Sequence, residues 1–198
     1  MKVKPLYIYL AVFVVFIIGV VIFSSNSNNG LTSMHGNMPD DDIHRGMEGN
    51  SPNNSNLLES AKKQLEDAKN DYEKNPNDTL KTRIYADLLT MAHQPEKAAE
   101  LYNKILQVDP KRIDALLQLT FIYFNEGDVE KADDYTQRIL KIENNHELAL
   151  YNSGVIQHAK GDLENAKRIW ESIIKKFPNS TIAHIAEQSI QGLSNPNH

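Results

Sequence analysis

Residues 93–112 read HQPEKAAELYNKILQVDPKR, residues 127–146 read GDVEKADDYTQRILKIENNH, and residues 161–180 read GDLENAKRIWESIIKKFPNS. The three segments align without a gap at a spacing of 34. Ala98, Ala132 and Ala166 share one column, each closing a Glu-Lys-Ala or Glu-Asn-Ala triplet, and Ile105, Ile139 and Ile173 share another. Tyr102 and Trp170 are large residues beyond the first and last of these alanines. Pro76, Pro110, Asn144 and Pro178 close successive periods, and the turn residues His93-Gln94-Pro95, Glu126-Gly127-Asp128 and Lys160-Gly161-Asp162 keep step with them. A period of this length, held in several independent columns, is the mark of a stacked repeat architecture.

With Thr79, Ile113 and Glu147 as first positions, the eighth position holds Ala86, Thr120 and Gly154, and the eleventh holds Leu89, Tyr123 and Gln157. Over Thr79–Ser180 this pattern resembles the tetratricopeptide repeat family, which has the same period, small residues at its eighth and twentieth positions and proline near its end. Thr120 and Thr136 replace small and aromatic consensus residues and Asn144 replaces proline, so the middle repeat departs most. The resemblance implies an all-α fold: a right-handed α-solenoid of three helix–turn–helix repeats at 79–112, 113–146 and 147–180. The small residues then fall where two helices cross, because only a short side chain lets the backbones approach. Gly127 and Gly161 stand where the chain leaves a first helix, Asp128 and Asp162 can cap the second, and Pro95 suits a first turn.

One repeat cannot bury its own apolar face, so both ends of the stack need covers. Leu57, Leu58, Ala61, Leu65, Ala68 and Tyr72 recur at spacings of three and four, which predicts an amphipathic opening helix over 57–74. Ser180 can cap a closing helix over 180–193 that carries Ile182, Ile185, Ala186, Ile190 and Leu193 on one stripe, and residues 194–198 form a tail.

In the resembled family the first helices line an inner groove. The corresponding residues are Leu80, Arg83, Asp87, Thr90 and Met91; Asp114, Leu117, Phe121, Phe124 and Asn125; and Leu148, Tyr151, Val155, His158 and Ala159. Arg83, Asp87, Leu117, Phe121, Phe124, Tyr151, Val155 and His158 are the candidate peptide-groove residues. Their apolar strip with one arginine at its edge suits a protein or peptide partner with aliphatic or aromatic anchors. Chaperone-binding members of the family grip a C-terminal carboxylate with basic and amide residues at five positions. Here those positions hold Arg83, Asp87, Gln118, Leu148 and Asn152, of which only Arg83 fits.

The remaining features concern location. Leu6–Phe23 runs for 18 residues without a charge. As a helix it covers about 27 Å, close to the thickness of a bilayer's hydrocarbon core. Lys2 and Lys4 precede it and Asp40, Asp41 and Asp42 are the first charges after it. The positive-inside rule therefore predicts a single-pass signal anchor, N-terminus cytoplasmic and repeats extracytoplasmic. The layout, one span and then a small repeat domain, is similar to bacterial envelope-assembly factors and so implies a bacterial inner membrane. Residues 24–56, rich in Asn, Ser and Gly, are too poor in apolar residues to bury a core and read as a disordered linker. Within it Met34, His35, Met38, His44 and Met47 are thioether and imidazole donors of the kind copper prefers.

The 198 residues carry a net charge of −5 and no cysteine. The acidity speaks against a nucleic-acid partner, and the missing thiols exclude disulfides, thiolate metal sites and a cysteine nucleophile. Seven histidines form no His-Glu-x-x-His pair and no phosphate loop is present, so neither an enzyme nor a cofactor is expected. The reading is a membrane-anchored adaptor that holds a partner in its concave groove, with a layout similar to repeat proteins of cytochrome c maturation. The alternative is a copper-handling protein that uses the Met/His linker and docks a partner through the repeats.

Overall fold

Each first helix ends in the same reversal. The backbone N–H groups of Gln94, Asp128 and Asp162 donate to the carbonyls of Leu89, Tyr123 and Gln157, all at 2.9 Å. This six-to-one closure requires one residue in the left-handed region. Gly127 and Gly161 supply it at φ +82° and +83°, and in the first repeat His93 does so at +56°. A side chain other than glycine is strained there. The second helices then begin as anticipated: the Asp128 and Asp162 carboxylates accept from the Lys131 and Asn165 N–H groups at 3.1 Å, and Pro95 opens its helix without needing a donor.

The computed structural model describes residues 54–194, with side chains for 58–193. The Leu6–Phe23 run, the Met/His stretch and the tail from 195 lie outside the described residues. Among the described residues there are eight helices and no strand. They are α1 (Asn54–Lys74), α2 (Thr79–Met91), α3 (Pro95–Val108), α4 (Ile113–Asn125), α5 (Val129–Ile142), α6 (Glu147–Ala159), α7 (Leu163–Lys176) and α8 (Thr181–Ser194). The fold is the all-α solenoid, and the repeats fall within one compact unit, Ala61–His198.

The turns between repeats are as regular as those within them. Asp78 donates to Asn75, Arg112 to Asp109, His146 to Glu143 and Ser180 to Phe177, from N–H to carbonyl at 2.9–3.3 Å and at intervals of 34 residues. This register makes α1 a second helix whose first helix is not among the described residues. It likewise makes α8 a first helix whose second is not among them.

Within a repeat, the eighth position of the first helix meets the position four beyond the buried alanine of the second. The partners are Ala86 with Tyr102, Thr120 with Thr136, and Gly154 with Trp170; all six are buried. A Cβ at Gly154 would overlap the indole, lying 2.7 Å from Cδ1 and 2.8 Å from Cε2 of Trp170. In the middle repeat two threonine hydroxyls lie 3.4 Å apart, each also bonded to the carbonyl four residues back, Leu116 and Ala132. The two departures from the family pattern are thus one compensated pair. An aromatic pair stands beside it: Tyr135, the residue before Thr136, and Tyr123, three beyond Thr120, stack at 5.5 Å and 3°.

Gly154→Ala is expected to lower unfolding free energy by about 2 kcal/mol or more through overpacking. Combining it with Trp170→Leu should give a loss smaller than the sum of the two by at least about 1 kcal/mol in urea melts. Gly127→Ala and Gly161→Ala, where nothing lies within 4 Å of the added carbon, should each cost about 1 kcal/mol through φ alone. His93→Gly should change stability in the opposite direction.

Candidate protein-binding face

The first helices form one layer and the second helices another. Arg83 of α2 reaches Asp114 of α4 at 3.8 Å, Arg112 at the start of α4 reaches Thr79 of α2 at 3.4 Å, and the Tyr151 hydroxyl of α6 lies 3.0 Å from Ser189 Oγ of α8. In the other layer, the Tyr135 hydroxyl of α5 donates to Asn103 of α3 at 3.1 Å, and Lys104 of α3 donates to the Tyr72 hydroxyl of α1 at 2.6 Å. All eight groove candidates lie in the first-helix layer, but they do not share one environment.

Within the first-helix layer the most open apolar side chains are on α2: Leu80, Ile84 and Met91 are 57%, 43% and 73% exposed. Leu117 and Phe121 of α4 are half-buried and pack down on the core formed by α2–α5. Phe124 is half-buried and belongs to neither core, so its ring is the open aromatic of the middle repeat. On α6, Val155 packs on the second core, and His158 is half-buried with its ring 6.3 Å from Trp170. Burial lowers the His158 pKa below the ordinary value for an imidazole, which keeps it neutral at pH 7.

Tyr151 is core. It is only 6% exposed, its ring stacks on Trp170 at 6.1 Å, and its hydroxyl is held by Ser189. Its register position points to the groove only where another repeat does not lie across it; α8 covers it here. Ile84, absent from the sequence-derived set, is open for the converse reason, since no first helix precedes α2 among the described residues. Asn152, buried on α6, keeps its Oδ1 without a hydrogen-bond partner among the described residues.

The charges at the α2–α4 end answer one another. Arg83 lies 3.9 Å from Asp87 and 3.8 Å from Asp114, and Arg112 clasps Asp114 through two nitrogens at 2.9 and 2.6 Å. Burial holds the Asp87 carboxyl above the ordinary value, against the pull of the Tyr102 hydroxyl that donates to it at 2.6 Å and of Arg83. The Arg112 hydrogen bonds hold Asp114 below the ordinary value. Burial, then the adjacent Asp87 carboxylate, raises the Tyr102 phenol well above its ordinary range. Two cations and two carboxylates thus form a self-contained set.

Among the described residues no group of three or more His, Asp or Glu could hold a metal ion, and no helix is long and apolar enough to cross a membrane. A tetratricopeptide repeat family profile matches residues 89–151, and a second profile of the same description matches 148–180. The chain belongs to the tetratricopeptide repeat proteins. No curated protein matches it. Among solved structures the tetratricopeptide solenoid is similar to that of MamA, at TM-score 0.60 and 20% identity over 74% of this chain and 84% of that one. It is also similar to YrrB, described as a TPR protein with an unusual peptide-binding site, at 0.58 and 19% over 67% and 68%. A third is the first TPR of Spaghetti (RPAP3) bound to the HSP90 peptide SRMEEVD, at 0.52 and 18% over 60% and 91%.

The Asp87 carboxyl binds its proton more tightly folded than unfolded, so its contribution to stability falls as pH rises through 3.8 and above. Asp114 does the reverse, contributing above 3.8 and losing that contribution as pH falls below it. Asp87→Asn is therefore expected to raise the melting temperature at pH 7, with the gain shrinking toward pH 3.5, while Asp114→Asn lowers it at pH 7. Each effect should stay within about 1 kcal/mol because both carboxylates are partly exposed.

Proposed function

We propose that the chain is an adaptor that binds a protein or peptide segment on the face built by α2, α4 and α6, by apolar anchoring instead of charge capture. The observation that carries this reading is the run of open or half-open apolar side chains, Leu80, Ile84 and Met91 leading to Phe124, beside a charge cluster that is already neutralised. Peptide binding by tetratricopeptide neighbours such as YrrB supports the reading. A terminal carboxylate suits the face poorly, because Asp87 and Asp114 stand beside Arg83. An extended or helical segment with aliphatic anchors needs no free cation there.

The uncharged run Leu6–Phe23, with its flanking charges, supports placing this adaptor at a bacterial inner membrane with the repeats outside the cytoplasm, in envelope protein assembly such as cytochrome c maturation. Tethering raises the local concentration of the groove beside membrane partners, so modest affinity suffices.

Two measurements test these readings. An array of aliphatic- and aromatic-rich peptides probed with the full chain should yield binders that Phe124→Ala weakens at least about ten-fold without a change in melting temperature. Unchanged affinity would remove the groove from the account. Carbonate extraction should leave the chain in the membrane pellet, and deletion of residues 6–23 should release it; a soluble full-length chain contradicts the anchor.

A further inference from the structure

The two ends of the described stack differ. On α4 the side chains that grip its own second helix are Leu116, Leu119, Thr120 and Tyr123, at the fourth, seventh, eighth and eleventh positions. On α8 the same positions hold His184, Glu187, Gln188 and Gln191, all polar and exposed, as a terminal cap requires. At the N-terminal end no helix among the described residues takes that place. The second, sixth and thirteenth positions, which turn toward the preceding first helix, are Asp114, Gln118 and Asn125 on α4. On α2 they are Leu80, Ile84 and Met91, apolar and open.

From this register we infer that the space beside α1 and α2 is a slot for one helix contributed by a partner protein, an amphipathic helix of about three turns with basic flanks. The inference rests on the protein-binding reading above and names its occupant. The slot continues the packing by which α4 seats on α2 and α8 seats on α6, because α1 already stands as the second helix of the incomplete repeat. Its floor is the α2 stripe, which takes aliphatic side chains at helical spacing. Its wall is the side of α1 with which a second helix faces its own first helix. In α3 and α5 that side is built from residues such as Leu101, Ile105, Tyr135 and Ile139. In α1 the matching residues are Asp67 and Asp71, one turn apart and exposed. Apolar floor and acidic wall together select lysine or arginine beside a leucine-type stripe.

The test uses the purified full chain and three synthetic peptides of 14 residues, read by fluorescence anisotropy. The first has leucines at helical spacing flanked by lysines, the second has glutamates for the lysines, and the third is a scramble of the first. The lysine peptide should bind at least about ten-fold more tightly than either of the others. Ile84→Glu with Met91→Glu should abolish that binding, and Asp67→Lys with Asp71→Lys should reverse the preference to the glutamate peptide. These four positions are exposed, and unchanged helicity by circular dichroism confirms that each variant folds. Equal binding of the scramble, or binding untouched by both double variants, overturns the inference. Binding lost in Phe124→Ala but kept in the α2 variant overturns the slot while leaving the inner face as the binding surface. A dimer dissolved by the α2 variant would make a second copy the occupant and equally overturn it.

Discussion

The close approach of the two helices in each repeat governs the rest of the structure. It is set by a pair of side chains whose sizes must be complementary: Ala86 under Tyr102, Gly154 under Trp170, and two threonines between them in the chain. Where the second helix carries an indole, the first can carry no side chain at all. Where both carry threonine, the two hydroxyls meet and a tyrosine pair stacks beside them. The distance between the layers determines which first-helix residues sink and which stand open, so the binding face follows from the packing beneath it. Helix propensity matters less, since helices of 13 or 14 residues are marginal alone and depend on this burial.

Much of this was legible in the sequence because it depends on local chemistry repeated in register. The glycine turns, the aspartate caps and the buried alanine column each need a particular residue type, and the period exposes all of them. His93 in the glycine column was less visible, since histidine reaches the left-handed region only at a cost that a sequence does not display. The threonine pair looked like two separate departures because contact between Thr120 and Thr136 is a fact of three dimensions.

The face itself was read only in part, and for one reason. A first helix divides its inner side between solvent and the neighbouring first helix, and the division depends on which neighbours exist. Tyr151 and Phe124 are both groove candidates by register, yet α8 closes over the tyrosine while the phenylalanine ring stays partly open. Ile84 would be covered in any repeat but the first. Periodicity tells which residues can face inward; the ends of the stack decide which of them do.

The polar residues of the first layer sharpen this point. Arg83, Arg112, Asp87 and Asp114 spend their charges on one another at the α2–α4 end, where Arg83 reaches Asp114 and Arg112 reaches Thr79 from one repeat to the next. Such a partly exposed set adds little net stability, but it fixes geometry and leaves no free charge to recruit a ligand. Recognition at this end then falls to shape and apolar contact, where Leu80, Ile84 and Met91 stand exposed beside the described helices. Leaving three such side chains in water forfeits burial that a polar residue would not miss, as Asp114, Gln118 and Asn125 show on the next helix. The contrast between two helices of the same register marks the α2 stripe as a surface made for contact.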